Sequence, residues 1–211
     1  MRKHTNICVI ESRWEQNKNT SVRSVFELIS DLHCGTHHAF EYEMANNKNG
    51  FIETIKRQLD NKLINYIIIE THGNNGNITL HNKEEITRTI LRNSLIRDNN
   101  RNLIGLHFGS CSFIGDDLAL FLYKGDISPW WISGYGEDVN WIDALAFEFL
   151  FFNMIISKDR ENKNSIKVIE EVCGKIKNEC AGLIKRLKFQ VYIKNDNGEI
   201  YRLFRYDKNL R

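Results

Sequence analysis

The chain has one proline in 211 residues, which excludes a proline-rich linker or a polyproline segment. Its five cysteines are odd in number and irregularly spaced. That argues against a disulfide scaffold and for free thiols in a reducing compartment. The formal net charge is only +2 and the basic residues are scattered, so no nucleic-acid groove is expected. No apolar run is long enough to span a bilayer, and no membrane partner is expected. Met1-Arg2-Lys3-His4 leads straight into an apolar strand, so no export signal is expected and a cytoplasmic location is. The glycine loops that cradle phosphates, G-x-x-x-x-G-K and G-x-G-x-x-G, are missing, and no cofactor is expected. Gly109-Ser110-Cys111-Ser112-Phe113 is not the G-x-S-x-G turn of serine hydrolases.

What is present is a globular composition, 42% hydrophobic, with no repeats and no linker, read as a single domain over 1–211. Ile7-Cys8-Val9-Ile10, Thr36 to Met44, Tyr66 to Thr71, Leu103 to Phe108 and Trp130 to Ser133 read as strands. Helical spacing marks Ser21–Leu32, Phe51–Leu63, Lys83–Ile96, Asp117–Tyr123, Asn140–Ile156 and Ser165–Leu187. Asp116 or Asp117 is the expected cap of the fourth helix. Lys158–Asn164 reads as a charged connector. Phe189 to Tyr206 reads as a hairpin turning at Asn197-Gly198. Alternating strands and helices predict an α/β three-layer sandwich, with a mostly parallel central sheet and a C-terminal β-hairpin.

Two of these strands end on reactive side chains. Tyr66 to Thr71 runs into His72-Gly73, and Leu103 to Phe108 runs into Gly109-Ser110-Cys111. Parallel neighbours joined by a helix bring their carboxyl ends to one rim, where α/β sheets gather functional groups. A thiol becomes a strong nucleophile once an imidazole takes its proton. Taken singly, His72 also reads as a polar residue at a strand end and Cys111 as a small buried one. Glu70, two residues before His72, is a candidate third group to orient the imidazole, or a structurally paired carboxylate. His107 is expected to point into a helix layer, or to act as an alternative base. His33, Cys34, His37 and His38 cluster without the paired spacing of a structural zinc site, so no metal is assigned. Cys8, Cys173 and Cys180 read as core positions.

An apolar strand ending in His-Gly, followed by one ending in a small residue and Cys, resembles the caspase-like cysteine peptidases. These include caspases, metacaspases, legumain, gingipain, separase and bacterial CHAT domains. The residues before Cys111 depart from the animal caspase signature. The resemblance implies a cysteine endopeptidase acting on protein or peptide. Cys111 would attack, His72 would serve as general acid/base, and the N–H groups of Gly73 and Cys111 would hold the oxyanion. It also implies a pocket for the residue before the cut, bordered by Glu11, Arg13, Gly109, Ser110, Tyr135, Glu137 and Asp138. Three carboxylates against one arginine favour cleavage after Arg or Lys. An intact single chain is expected, with the Lys158–Asn164 connector as the place for any nick. CHAT-like relatives suggest a regulated bacterial effector, with a role in anti-phage defence. A regulatory protein or small signalling molecule would order the loops at Ser12–Thr20 and Gly134–Asp138. A second reading keeps the fold without the chemistry: a pseudo-peptidase or flavodoxin-like module that binds a partner or nucleotide at the same rim.

Overall fold

The computed structural model describes residues 6–15, 18, 20–34, 40–74, 76–96, 103–125, 127, 129–161 and 164–204. The chain runs β1 (Asn6–Glu11), α1 (Arg23–Cys34), β2 (Phe40–Met44), α2 (Lys48–Asp60) and β3 (Ile64–Glu70). A small hairpin layer follows, β4 (His72–Asn74), β5 (Asn77–Thr79) and β6 (Glu85–Ile86). Then come α3 (Arg88–Leu95), β7 (Gly105–Phe108), α4 (Asp116–Tyr123), β8 (Trp131–Tyr135) and α5 (Trp141–Glu161). The chain closes with α6 (Ser165–Glu179), α7 (Ala181–Leu187), β9 (Phe189–Lys194) and β10 (Ile200–Arg202).

Seven strands form the central sheet in the order β10-β9-β8-β7-β3-β1-β2. From β2 to β8 every pairing is parallel, and β9 and β10 add antiparallel at the edge. β1 and β3 are buried along their whole length, as strands covered by helices on both faces must be. Alternate side chains feed two apolar clusters. One joins Val9, Tyr66, Ile68 and Trp131 to residues of α1, α5, α6 and α7. The other joins Ile10, Ile67, Ile69 and Leu106 to residues of α2, α3 and α4. This is the three-layer α/β sandwich with its terminal hairpin. No described helix is long and apolar enough to cross a membrane.

Several local expectations differ from the structure. The helix expected over Phe51–Leu63 runs Lys48–Asp60, and Leu63 is exposed because Asn61 ends the helix just before β3. The third helix begins at Arg88, not Lys83, because Glu85–Ile86 pairs with β5 and Thr87 caps the helix through the Ile90 N–H. The helix expected over Ser165–Leu187 breaks at Cys180. The apolar stripe runs on through Ile176, Leu183 and Leu187, so its period hides the break. Lys158 to Glu161 is the last turn of α5, and Lys158 Nζ meets Glu171 on α6 at 2.7 Å. Helix α4 has Gly115 at its cap with no side-chain cap bond, and both aspartates sit in its first turn.

Candidate active site

Strand parity builds the site. Ile67 and Ile69 face the α2–α4 layer, so Glu70 continues the Tyr66–Ile68 face toward α5. By the same rule His107 on β7, and Ser133 and Tyr135 on β8, face α5 as well, and His107 pairs with Ser133 in register. There they meet Glu148. His107 Nε2 lies 3.2 Å from Glu148 Oε1, and the Tyr135 hydroxyl donates to the same oxygen at 2.8 Å. His107 Nδ1 lies 2.8 Å from Ser133 Oγ. Glu70 is 2% exposed, and its Oε1 has no hydrogen-bond partner. Burial, then the Glu148 and Glu11 carboxylates, pushes the Glu70 acid well above the usual carboxylate range. Glu70 thus belongs to this buried network, while another group orients His72.

That group is the main-chain carbonyl of Trp14, 2.8 Å from His72 Nε2. A carbonyl only accepts, so Nε2 carries the proton, and in the neutral ring Nδ1 keeps the basic lone pair. The Trp14 indole also meets the imidazole edge-on at 4.9 Å between ring centres. Trp14 is itself anchored, because its Nε1 donates to Glu11 Oε1 at 3.0 Å. Glu11 further accepts from Ser21 and Tyr42, each at 2.6 Å, and from the Val22 N–H at 3.3 Å.

Gly73 follows His72 and lies against the Cys111 peptide. A Cβ there would sit 2.2 Å from the Cys111 carbonyl oxygen and 3.1 Å from its nitrogen. Only glycine allows that approach. Beneath it, Thr71 and Ser110 hydroxyls join at 2.7 Å, tying the end of β3 to the end of β7. A Cβ at Gly109 would fall 2.2 Å from either carboxylate oxygen of Glu70. Just past Cys111, Ser112 takes a left-handed φ of 47°. Its N–H donates to the Glu137 carbonyl at 3.0 Å and its hydroxyl to Asp138 at 2.7 Å. Cys111 Sγ faces the Val139 carbonyl at 3.9 Å.

His72 and Cys111 open into one cleft of about 260 Å³. Its buried floor carries Gly109, Glu70 and Glu148, and the more exposed Trp14, Glu15, Val139, Trp141 and Leu145 complete the lining. The other expected pocket residues are not in this lining. Glu11 is consumed by the bonds above. Ser110 and Tyr135 are buried, with Tyr135 bonded to Glu148 and to the Ala144 carbonyl. The Arg13 N–H bonds Asn46, Glu137 reaches Lys188 at 3.9 Å, and Asp138 holds Ser112. The α5 amino end is capped by Asn140, which accepts from the N–H groups of Ile142 and Asp143. His33 Nε2 lies 2.7 Å from Asn153 Oδ1, whereas His37 and His38 lie outside the described residues, as does the Cys34 side chain.

Glu148 is legible in the sequence as a carboxylate between Phe147 and Phe149 of an apolar helix, which needs a buried partner. Trp14 acts through a main-chain oxygen, which no side-chain pattern encodes.

No protein-family model matches the sequence, and no curated protein does. Among solved structures the chain is similar to "iotapain", a secreted C11 cysteine protease from Bacteroides thetaiotaomicron. The two share 14% identity at a TM-score of 0.41, over 65% of this chain and 54% of that one. The chain thus spans about half the length of that protease.

Proposed function

We propose that this chain is a cysteine peptidase with Cys111 as nucleophile and His72 as its acid and base. The observation that carries the reading is the shared cleft, in which the Trp14 carbonyl fixes His72 Nε2–H and leaves Nδ1 as the base. His72 takes the thiol proton, and the Cys111 sulfur bonds to the scissile carbonyl carbon. The negative oxygen that results is held by the N–H groups of Gly73 and Cys111, whose backbones are already in contact. His72 returns the proton to the leaving nitrogen as the C–N bond breaks, giving a thioester. Water, deprotonated by His72, then splits the thioester and frees the thiol.

Besides His72 and Cys111, the ionisable groups of the lining are Glu15, Glu70 and Glu148, with no Lys or Arg among the described residues. A basic side chain before the cut suits such a cleft, its stem against Trp14 and Trp141. The carboxylates that serve this preference are therefore Glu148 and Glu15, in place of Glu11, Glu137 and Asp138. Control by a regulatory protein or small signalling molecule, and an effector role, complete the proposal. The β1–α1 loop, which supplies Trp14 and part of the cleft lining, is the element such a partner would act on.

Fluorogenic peptides differing only in Arg, Lys, Asp or Leu before the cut test the reading. Wild type is expected to cleave Arg and Lys peptides, and Cys111→Ala and His72→Ala to cleave none. Cys111 Sγ faces the Val139 carbonyl and not His72, an arrangement that also suits a binding module without chemistry. Equal behaviour of wild type and Cys111→Ala would establish that module instead.

A further inference from the structure

We propose that Glu70, His107 and Glu148 form a binding site for one divalent transition-metal ion of the zinc class, at the floor of the cleft. Each offers one ligand atom, and these atoms all lie within 4.8 Å of one another. His107 Nε2 and Glu148 Oε1 are 3.2 Å apart, close to the roughly 3.3 Å edge of a tetrahedral shell with bonds of about 2.0–2.1 Å. Two carboxylates and one imidazole suit zinc and its neighbours, whereas calcium and magnesium favour all-oxygen shells.

Three further features make this a built site. Glu70 Oε1 is a buried oxygen without a partner, so once this acid gives up its proton the network of protein bonds leaves one ligand atom unused. The supporting shell is in place. Ser133 Oγ can accept from His107 Nδ1–H, freeing Nε2 to ligate, and Tyr135 orients Glu148. Access is also present, because Glu70 and Glu148 line the cleft while His107 lies behind them, fully buried. Three protein ligands with one side open to the cleft leave a coordination position for water. The ion and a basic side chain both draw on Glu148, so they occupy the floor in alternation. The proposal itself does not depend on peptide hydrolysis.

The test is zinc uptake by protein freed of metal with a chelator, measured in competition with a chromogenic zinc indicator. Wild type is expected to take up one equivalent at this site. Glu70→Gln keeps the shape of the side chain but cannot give up a proton to become a carboxylate ligand, and should weaken uptake by about 10-fold or more. Cys111→Ala and His33→Ala should retain it, and the cobalt-substituted protein should show no thiolate charge-transfer band. Should Glu70→Gln not fold, Ser133→Ala decides, with an expected loss of about 10-fold. No uptake by wild type, unchanged affinity in the folded Glu70 variant, or loss of uptake with Cys111→Ala would each overturn the proposal.

Discussion

Replacing Gly73 by alanine tests the close approach between the His72 hairpin and the Cys111 peptide. The new methyl would stand 2.2 Å from the Cys111 carbonyl oxygen and 2.9 Å from Ser110 Cβ. Ordinary contacts between carbon atoms begin near ~3.5 Å, so a gap of about 1 Å must open. The obstructing oxygen is main chain and cannot rotate away as a side chain would. The Thr71–Ser110 bond of 2.7 Å sits directly beneath and resists separation of the two strand ends. Overpacking of this kind costs about 1–3 kcal/mol. For a chain of this size that lowers Tm by roughly 2–4 °C for each kcal/mol. The same displacement moves His72 away from Cys111, and a misplacement near 1 Å costs about 100-fold in rate. The assay pairs a thermal melt with kcat/KM on an Arg-containing fluorogenic peptide. Gly174→Ala on α6 is the control, because nothing lies within 4 Å of its Cβ position. It should gain about 0.5–1 kcal/mol from helix propensity. A Gly73→Ala protein with wild-type Tm and kcat/KM would refute the reasoning.

Alkylation followed by mass spectrometry should label Cys111 well before Cys8 and Cys173, which are buried and whose thiols burial pushes up; equal labelling in the native state would contradict this. Cys111→Ala and His72→Ala should each abolish peptide cleavage with native circular dichroism, and the double variant should be no worse than either, because groups acting as one unit are non-additive. Burial, then its bond to Glu11, raises the Tyr42 phenol to about 12. The folded state therefore holds this proton more tightly, and the stability it contributes is full below pH ~10 and lost as pH rises toward the folded value. Spectrophotometric titration should show a late phenol that vanishes in Tyr42→Phe.

The layers were legible because apolar period separates strand from helix and the parallel strands are buried on both faces. Ile64 to Glu70 is wholly buried, and its near-continuous apolar run announces that. The meeting of the two strand ends was also readable from order alone, since a helix between two strands makes them parallel. Placing the floor of the cleft needed more. Parity put Glu70 on the α5 face, but its distance from Glu148 depends on how α5 crosses the sheet. Glu11 and Tyr135 sit at rim positions that suggest a pocket, yet both turn inward to satisfy buried partners. The break at Cys180 was hidden because an apolar stripe continues through it with unbroken spacing.

The cleft is assembled from pieces far apart in the chain, and this orders its appearance during synthesis. Trp14, His72 and Cys111 leave the ribosome early. Val139, Trp141, Ala144 and Leu145, which line the same cleft, come with the start of α5. Until that helix docks, the cleft around His72 and Cys111 is incomplete. Translation thus delivers His72 and Cys111 before the residues at the start of α5 that complete the cleft around them.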